Sequence, residues 1–134
     1  MNSIWNKNIN AFTKRFPALS EFYSSEISHI SQAFLDSEDI VSVTESLFPF
    51  WKIEIAKNGE YTAIENGVKL HSSYKPSAPL REEEDTKSFE DAVTVFLGAG
   101  LGYSLCAWCS KFKNTPVIFM EPDQARFFEA LCIL

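Results

Sequence analysis

The amino-terminal third of the chain carries hydrophobic residues at the spacing of α-helices. One apolar stripe runs over residues 5–16 and a second over residues 19–34, each repeating every three or four positions. Pro17 separates the stripes, because proline cannot donate the hydrogen bond that a continuing helix needs. A polar run at residues 36–39 ends the second stripe. The pattern predicts two amphipathic helices in series, which typically form a hairpin or cover another layer.

The middle of the chain alternates hydrophobic and polar residues, as antiparallel strands do. Asn-Gly pairs separate three alternating segments: residues 50–56, Asn58-Gly59, residues 60–65, Asn66-Gly67 and residues 68–71. Asn-Gly between such segments is typical of tight hairpin turns in which both central residues take positive φ. The sequence therefore predicts a three-stranded antiparallel meander. A further strand is predicted over Ile40–Leu47, ahead of Pro49.

The last third changes from alternation to continuous apolar runs. Residues 92–97 and 116–120 are rich in β-forming residues, which predicts two strands buried on both faces. A helical pattern follows each run, so we expect a βαβα unit with a right-handed parallel connection. Two segments lie between the meander and the first parallel strand. Residues 72–79 are typical of a loop, and the charged residues 80–90 are typical of a solvated helix.

Two parallel strands flanked by helices do not complete a sheet, because parallel strands normally lie inside sheets covered on both faces. Either the meander completes the sheet, or the chain is the amino-terminal piece of a longer protein, or a partner chain covers the edge. We expect the second, since residues 131–134 are apolar and lack a polar cap. The predicted fold class is α/β. A helical and β-meander domain would span residues 1–80, and the start of a Rossmann-like nucleotide-binding domain would span residues 81–134.

Composition and charge narrow the possible partners. The 134 residues include 12 Lys and Arg against 18 Asp and Glu, a formal charge of −6. We expect no nucleic acid or anionic membrane as a partner, because both are bound through a basic face. The sequence does not open with a basic and apolar leader, and glycines interrupt the uncharged stretch 92–110. We therefore expect a cytoplasmic protein without a membrane span.

The glycine-rich turn after the first parallel strand is the strongest candidate site. Gly98, Gly100 and Gly102 allow a sharp turn and close approach of the backbone to a ligand, and the next helix N-terminus favours an anion. Glu121 ends the second strand about 20 residues beyond Gly98, where a carboxylate can bind ribose hydroxyls. Tyr103 replaces the last glycine of G-x-G-x-x-G, so the turn is closer to the G-x-G-x-G of methyltransferase-type sites. Alternatively, the glycines serve only close strand–helix packing.

Two further positions offer chemistry, each with a structural alternative. Asp123 either joins Glu121 at a ligand or caps the last helix. His71, with Ser72 and Tyr74 beside it, is a candidate general acid–base or sugar contact, or else a structural hydrogen-bonding group. The sequence contains no Ser-His-Asp order, P-loop or H-E-x-x-H motif.

The cysteines are expected to be structural. Cys106 and Cys109 have the spacing of a redox dithiol, but they lie within a predicted helix, whereas such motifs begin at a helix N-terminus. We therefore expect buried core cysteines. Cys132, His71 and His29 are too scattered to complete a zinc site, so no metal is expected.

Several motifs, in this order, resemble the motility accessory factors (Maf), a family of bacterial flagellin glycosyltransferases. The resemblance extends over nearly the whole chain, and its specific part is Leu70-His-Ser-Ser-Tyr74-Lys-Pro76 together with Phe96-Leu-Gly-Ala-Gly-Leu-Gly-Tyr103. Lys14-Arg-Phe-Pro17, the two Asn-Gly pairs and Glu121-Pro-Asp123 accompany these motifs. The family usually has an acidic residue after the Tyr and Glu-Ala after the Pro, where this chain has Lys75 and Pro79-Leu80.

The resemblance implies transfer of a nonulosonic acid, such as pseudaminic acid, from its CMP-sugar to flagellin Ser/Thr. It also implies a Rossmann-like domain that is related to sialyltransferases. Most of that domain would lie beyond Leu134, so this segment alone is expected to be inactive. Whether it forms a homo-oligomer stays open. By position, the nucleotide-sugar pocket would contain Gly98, Gly100, Gly102 and Glu121, with His71, Ser72 and Tyr74 near its rim.

Other functions stay open beside glycosyl transfer. The same central domain resembles archaeal pterin pyrophosphokinases, and G-x-G-x-G followed by an acid also suits S-adenosylmethionine. A non-catalytic alternative is that the helices and meander form a docking module for flagellin or for another copy of the chain.

Overall fold

The computed structural model describes residues 3–48, 51–78, 93–98 and 100–133, so the charged helix predicted over residues 80–90 lies outside it. The described part mixes helices and strands, as the α/β prediction requires at its coarsest level. Its elements in chain order are α1 Ser3–Arg15, α2 Pro17–Phe22, α3 Ser24–Asp36, α4 Ile40–Leu47, β1 Lys52–Ile55, β2 Tyr61–Glu65, β3 Val68–Lys69, β4 Thr94–Leu97, α5 Tyr103–Lys111, β5 Val117–Met120 and α6 Gln124–Ile133. Among these described helices, none combines the length and apolar character that crossing a bilayer would need.

The first apolar stripe lies in a single helix except for Phe16, which falls between α1 and α2 and is 48% exposed, whereas the second stripe is divided between two helices. Trp5, Ile9 and Phe12 face the core from α1, as predicted. Pro17 is the first residue of α2, where its missing N–H costs nothing. Tyr23, with φ −96° and ψ 21°, then interrupts the helical geometry, so α2 and α3 are separate helices.

Residues 40–47 form a helix, so the strand predicted there is wrong. Asp39 caps this helix, because its carboxylate accepts hydrogen bonds from the backbone N–H groups of Val41 and Ser42. Val43 is buried in the core. The β-branched residues of this segment favour a strand by composition, but the cap and the packing of one helical face override that preference.

The predicted meander is confirmed as an antiparallel sheet in the order β1-β2-β3. Ile53 and Ala63 are register partners, and both are buried. Ile55 lies two positions after Ile53 but is 65% exposed at the end of β1. The meander thus contributes to the core mainly through the start of β1 and the centre of β2.

The two Asn-Gly turns have different geometries. Asn66 and Gly67 take φ values of 51° and 80°, the paired positive values that the sequence predicts. In the first turn only Gly59 has positive φ, at 85°, and its N–H donates to the Ala56 carbonyl. That turn is a hairpin connection with a glycine bulge, so the expectation of two positive φ values is wrong there.

The parallel pair is confirmed, but it stands apart from the meander. β4 and β5 run parallel, with Thr94 opposite Val117 and Leu97 opposite Met120. They form a two-stranded sheet of their own among the described residues, so the meander does not complete the parallel sheet.

The described residues cover one face of this parallel sheet. Phe96 contacts Trp108 of α5, and Phe119 contacts Phe127 of α6, with ring centroids 6.3 Å apart in both pairs. On the opposite face, four apolar side chains expose half or more of their surface: Val95, Leu97, Ile118 and Met120. The prediction of strands buried on both faces is therefore wrong for the described part of the chain.

One hydrophobic core joins the beginning of the chain to its end. The rings of Phe12 in α1 and Phe127 in α6 lie 5.6 Å apart, and the Asn8 amide donates to the Leu131 carbonyl at 2.9 Å. The buried cluster includes Trp5, Ile9, Phe12, Ile30, Phe34, Val43, Trp51, Ile53, Ala63, Leu101, Phe128, Cys132 and Ile133. Residues from both predicted domains share this core.

Candidate functional site

Glycines make the turn after β4 a sharp one. Gly98, Gly100 and Gly102 have φ values of 67°, 52° and 82°, a region that L-residues rarely adopt. The Gly98 N–H donates to the Met120 carbonyl and so extends the parallel ladder by one bond. Gly102 is the N-cap of α5, which begins at Tyr103. The segment is thus a turn between strand and helix, as the sequence predicts.

His71 holds this glycine turn from the meander side. Its Nε2 accepts a hydrogen bond from the Leu101 N–H at 3.1 Å, so the neutral ring carries its proton on Nδ1. A Cβ atom on Gly100 would lie only 2.9 Å from the same Nε2. Burial lowers the pKa of His71, which keeps the ring neutral near pH 7. His71 therefore serves as a structural hydrogen-bonding group, one of its two predicted roles.

Tyr103 makes a second connection between the two parts of the chain. Its hydroxyl donates to the Tyr61 carbonyl in β2 at 2.8 Å, and its ring stands edge-on to His71 with centroids 5.3 Å apart. Burial raises the pKa of Tyr103, so the phenol remains protonated as a donor. The start of α5 is thereby fixed to the meander.

A pocket of about 860 Å³ lies beside this turn, at the carboxyl ends of the parallel strands. Four of the predicted site residues, Gly98, Gly100, Glu121 and His71, line it. The remaining lining residues are Trp51, Glu65, Leu70, Leu97, Phe119, Met120, Pro122 and Arg126. Open α/β sheets commonly bind their ligands at this position.

Glu121 and Asp123 have different roles in the structure. Glu121 lines the pocket, and its Oε2 lies 3.7 Å from the place where a Gly98 side chain would begin. Its Oε1 accepts the Asp123 N–H at 3.1 Å, which orients the carboxylate. Asp123 lies outside the pocket lining and accepts the Ala125 N–H at 2.9 Å, the capping contact that was its structural alternative.

The other predicted rim residues make local contacts instead. The Ser72 hydroxyl accepts from the N–H groups of Tyr74 and Lys75, at 3.1 and 3.3 Å, and so shapes the loop after β3. Tyr74 is exposed, with the Lys57 ammonium 4.2 Å from its ring centroid. These residues, like Gly102 and Tyr103, do not line this pocket.

Arg126 and Glu65 form an ion pair in the pocket wall that the sequence did not predict. The Arg126 Nε also lies 3.9 Å from an Asp123 carboxylate oxygen. The guanidinium stands 5.9 Å from the centroid of Trp51, whose buried indole N–H has no hydrogen-bond partner among the described residues. Glu65 and Arg126 are 61 positions apart, so no motif spacing links them. The only local signal is the placement of Arg126 one helical turn after Asp123.

The cysteines do not behave as predicted. Cys106 and Cys109 are exposed on α5, so the expectation of two core cysteines is wrong, while Cys132 is buried. The exposure follows from the packing of α5, which turns Trp108 toward the sheet. Partial burial raises the pKa of the Cys106 thiol, which disfavours the reactive thiolate. In the described ranges, no three His, Cys, Asp or Glu side chains converge as a metal site would require.

The pocket wall combines aromatic surface with a hydrogen-bond acceptor. Trp51 and Phe119 provide the aromatic surface, and Glu121 provides the acceptor. The site therefore suits a flat, partly apolar ligand that carries hydroxyl groups.

Comparison with known proteins assigns the chain to no family. No protein-family profile, curated protein or solved structure matches it. The interpretation of the site accordingly depends on its own geometry.

Proposed function

We propose that the pocket binds the nucleoside part of a small-molecule ligand. The observation that carries the proposal is the position of Gly98 and Glu121, which follow neighbouring parallel strands and line the same pocket. A carboxylate there can accept hydrogen bonds from ribose hydroxyls, and the glycine leaves room for the sugar to approach the backbone. The aromatic wall and the unpartnered Trp51 N–H suit a nucleobase.

The proposed ligand is a CMP-activated nonulosonic acid, and the proposed reaction is its transfer to Ser/Thr of flagellin in the cytoplasm. This step of the proposal is supported by the resemblance of the His71 and glycine-turn motifs to the Maf glycosyltransferases. In such a transfer, the acceptor oxygen bonds to the anomeric carbon while the bond from that carbon to the CMP phosphate oxygen breaks. CMP leaves with the electron pair of the broken bond, and the hydroxyl proton passes to solvent. His71 is a poor candidate for accepting the hydroxyl proton, because its unprotonated nitrogen already binds the Leu101 N–H.

Replacement of Glu121 tests the nucleoside proposal. We expect Glu121→Gln to weaken CMP and cytidine binding about tenfold, because a charged acceptor for the ribose hydroxyls becomes a neutral one. Isothermal titration of the full chain gives both affinities. Glu54→Gln is the matched control, since Glu54 pairs with Lys52 and Lys69 on the meander and does not line the pocket. Equal affinities for wild type and Glu121→Gln, or no binding of either compound, would contradict the proposal.

A second candidate is a site for S-adenosylmethionine, as in methyltransferases. It is favoured by the charges of the pocket wall, where two carboxylates, Glu65 and Glu121, and one guanidinium, Arg126, give a formal charge of −1. That sign suits a sulfonium cation better than a phosphate. A thermal-shift series with CMP, ATP, S-adenosylmethionine and S-adenosylhomocysteine separates the candidates. Stabilisation by S-adenosylmethionine alone would favour the methyltransferase, and stabilisation by ATP alone the pyrophosphokinase.

A further inference from the structure

The positively charged side chain described in the pocket wall, Arg126, already forms an ion pair with a carboxylate of the protein. Arg126 is the only Lys or Arg among the described lining residues, and its guanidinium pairs with Glu65 from the end of β2. Asp123 adds a second negative charge 3.9 Å from the Arg126 Nε, whose N–H has no hydrogen-bond partner among the described residues. Two carboxylates therefore compete with any anionic ligand for one guanidinium.

Two backbone donors of the glycine turn, those of Gly98 and Leu101, are occupied as well. The Gly98 N–H donates to Met120, and the Leu101 N–H donates to His71 Nε2. Phosphate-binding glycine turns rely on free N–H groups that point at the anion. His71 adds no positive charge, because burial lowers its pKa and keeps it neutral near pH 7.

We propose that Glu65 is the specificity-determining residue of this pocket. Glu65 pairs with Arg126, so the guanidinium is not available to bind a phosphate. The pocket then recognises the uncharged nucleoside of its ligand, and the phosphate contributes little to affinity. This inference rests on the proposed nucleoside binding. It deepens that proposal, since it predicts that the number of phosphates on the ligand does not determine binding.

The test compares cytidine with CMP by isothermal titration on the wild-type chain and on Glu65→Gln. The wild type should bind the two compounds with affinities within about threefold of each other. Glu65→Gln releases Arg126 for a charge-assisted bond to phosphate, so CMP should bind about tenfold more tightly while cytidine is unchanged. The double variant Glu65→Gln/Arg126→Gln should lose this gain. Glu54→Gln removes the same charge from the neighbouring strand and should leave the ratio at its wild-type value.

Each result separates this inference from the proposed function. CMP binding at least tenfold tighter than cytidine to the wild type would overturn the role of Glu65, whether or not the variants fold. An equal change of the ratio in Glu65→Gln and Glu54→Gln would overturn it too, because the effect would then be one of net charge. If neither compound binds the folded wild type, the proposed cytidine site is refuted and the inference falls with it.

Discussion

Gly100 is constrained in two ways: its backbone is in the left-handed region, and the His71 ring lies close to it. Its φ is 52°, and a Cβ atom would lie 2.9 Å from His71 Nε2. Gly59 has φ 85° but open space where its side chain would project, so it experiences the first constraint alone. The two glycines therefore allow backbone strain and steric conflict to be measured separately.

We expect Gly59→Ala to lower the free energy of unfolding by about 1 kcal/mol, the cost of a left-handed alanine. Gly100→Ala should cost about 2 kcal/mol or more, because the His71 ring must also move and its bond to Leu101 is strained. Urea denaturation measures both values. In a His71→Ala background the excess cost of Gly100→Ala should disappear, as expected for a pairwise conflict. Equal costs for the two glycines in the wild-type background would show that His71 does not constrain the turn.

Some residues of the candidate site could be predicted from the sequence, and others could not. The glycine positions and Glu121 could be predicted, because strand ends and conformational demands leave local signals. The Glu65–Arg126 pair could not, since it depends on how β2 and α6 meet in space. The exposure of Cys106 and Cys109 was also missed, because spacing alone does not say which side of a helix is covered.

At the scale of elements, α4 shows how a cap can decide between helix and strand. Asp39 precedes the helix, and Ser42 donates through both its backbone N–H and its hydroxyl to the same carboxylate oxygen. These bonds lower the pKa of Asp39, the Ser42 hydroxyl contributing most. The carboxylate therefore compensates backbone donors that the first turn of α4 leaves unpaired.

Removing this cap should destabilise α4. We expect Asp39→Ala to lower the melting temperature by about 4 °C, because the first N–H groups of the helix lose their acceptor. Asp39→Asn is the matched control, since its side-chain oxygen can still accept, and it should keep most of the wild-type value. Thermal unfolding followed by circular dichroism measures both. Identical losses in the two variants would mean that the charge of Asp39 matters and its capping bonds do not.

The elements that the sequence predicts correctly are those with local causes. The meander follows from alternation and from turn residues that lie within a few positions of each other. The strand predicted for residues 40–47 failed because β-branched composition is a weak preference that a cap and one buried face outweigh. The prediction that the parallel sheet is covered on both faces was wrong for another reason. A continuous apolar run in the sequence does not reveal what packs on the second face of a strand.

At the scale of the whole molecule, Glu129 is a buried acid within the shared core. The residue is fully buried, and neither carboxyl oxygen has a hydrogen-bond partner among the described residues. Burial raises the pKa of Glu129 to about 8; the charge of Arg126 opposes this shift, and Asp123 and Glu65 add to it. The group is therefore protonated at neutral pH in the folded protein and ionised in the unfolded chain.

This difference predicts a loss of stability as the pH rises. Between the ordinary pKa of 4.5 and about 8, the folded protein binds one proton more than the unfolded chain at Glu129, so the free energy of unfolding decreases. Compared with Glu129→Gln, the wild type should lose at least about 2 kcal/mol from pH 5 to pH 8. Urea denaturation at both pH values measures the difference, and other titrating groups, His71 included, cancel in the comparison. Parallel pH profiles for the two proteins would show that Glu129 is ionised in the folded state.

The shared core also explains why the overall arrangement could not be deduced from the sequence. Apolar stripes predict which faces of α1 and α6 are buried, but not that Phe12 and Phe127 meet across more than a hundred residues of chain. The pocket has the same origin, because its walls come from the meander, the parallel strands and α6. The glycine-turn half of the site was predictable, and the half contributed by tertiary packing was not.

The position of Trp51 has a practical consequence. Its indole forms part of the pocket wall and lies close to the Arg126 guanidinium, so its emission depends on what occupies the neighbouring space. Trp5 lies deep in the core and Trp108 lies against Phe96, away from that wall. The molecule thus contains its own fluorophore at the proposed site, and ligand occupancy can be read optically without attaching a dye.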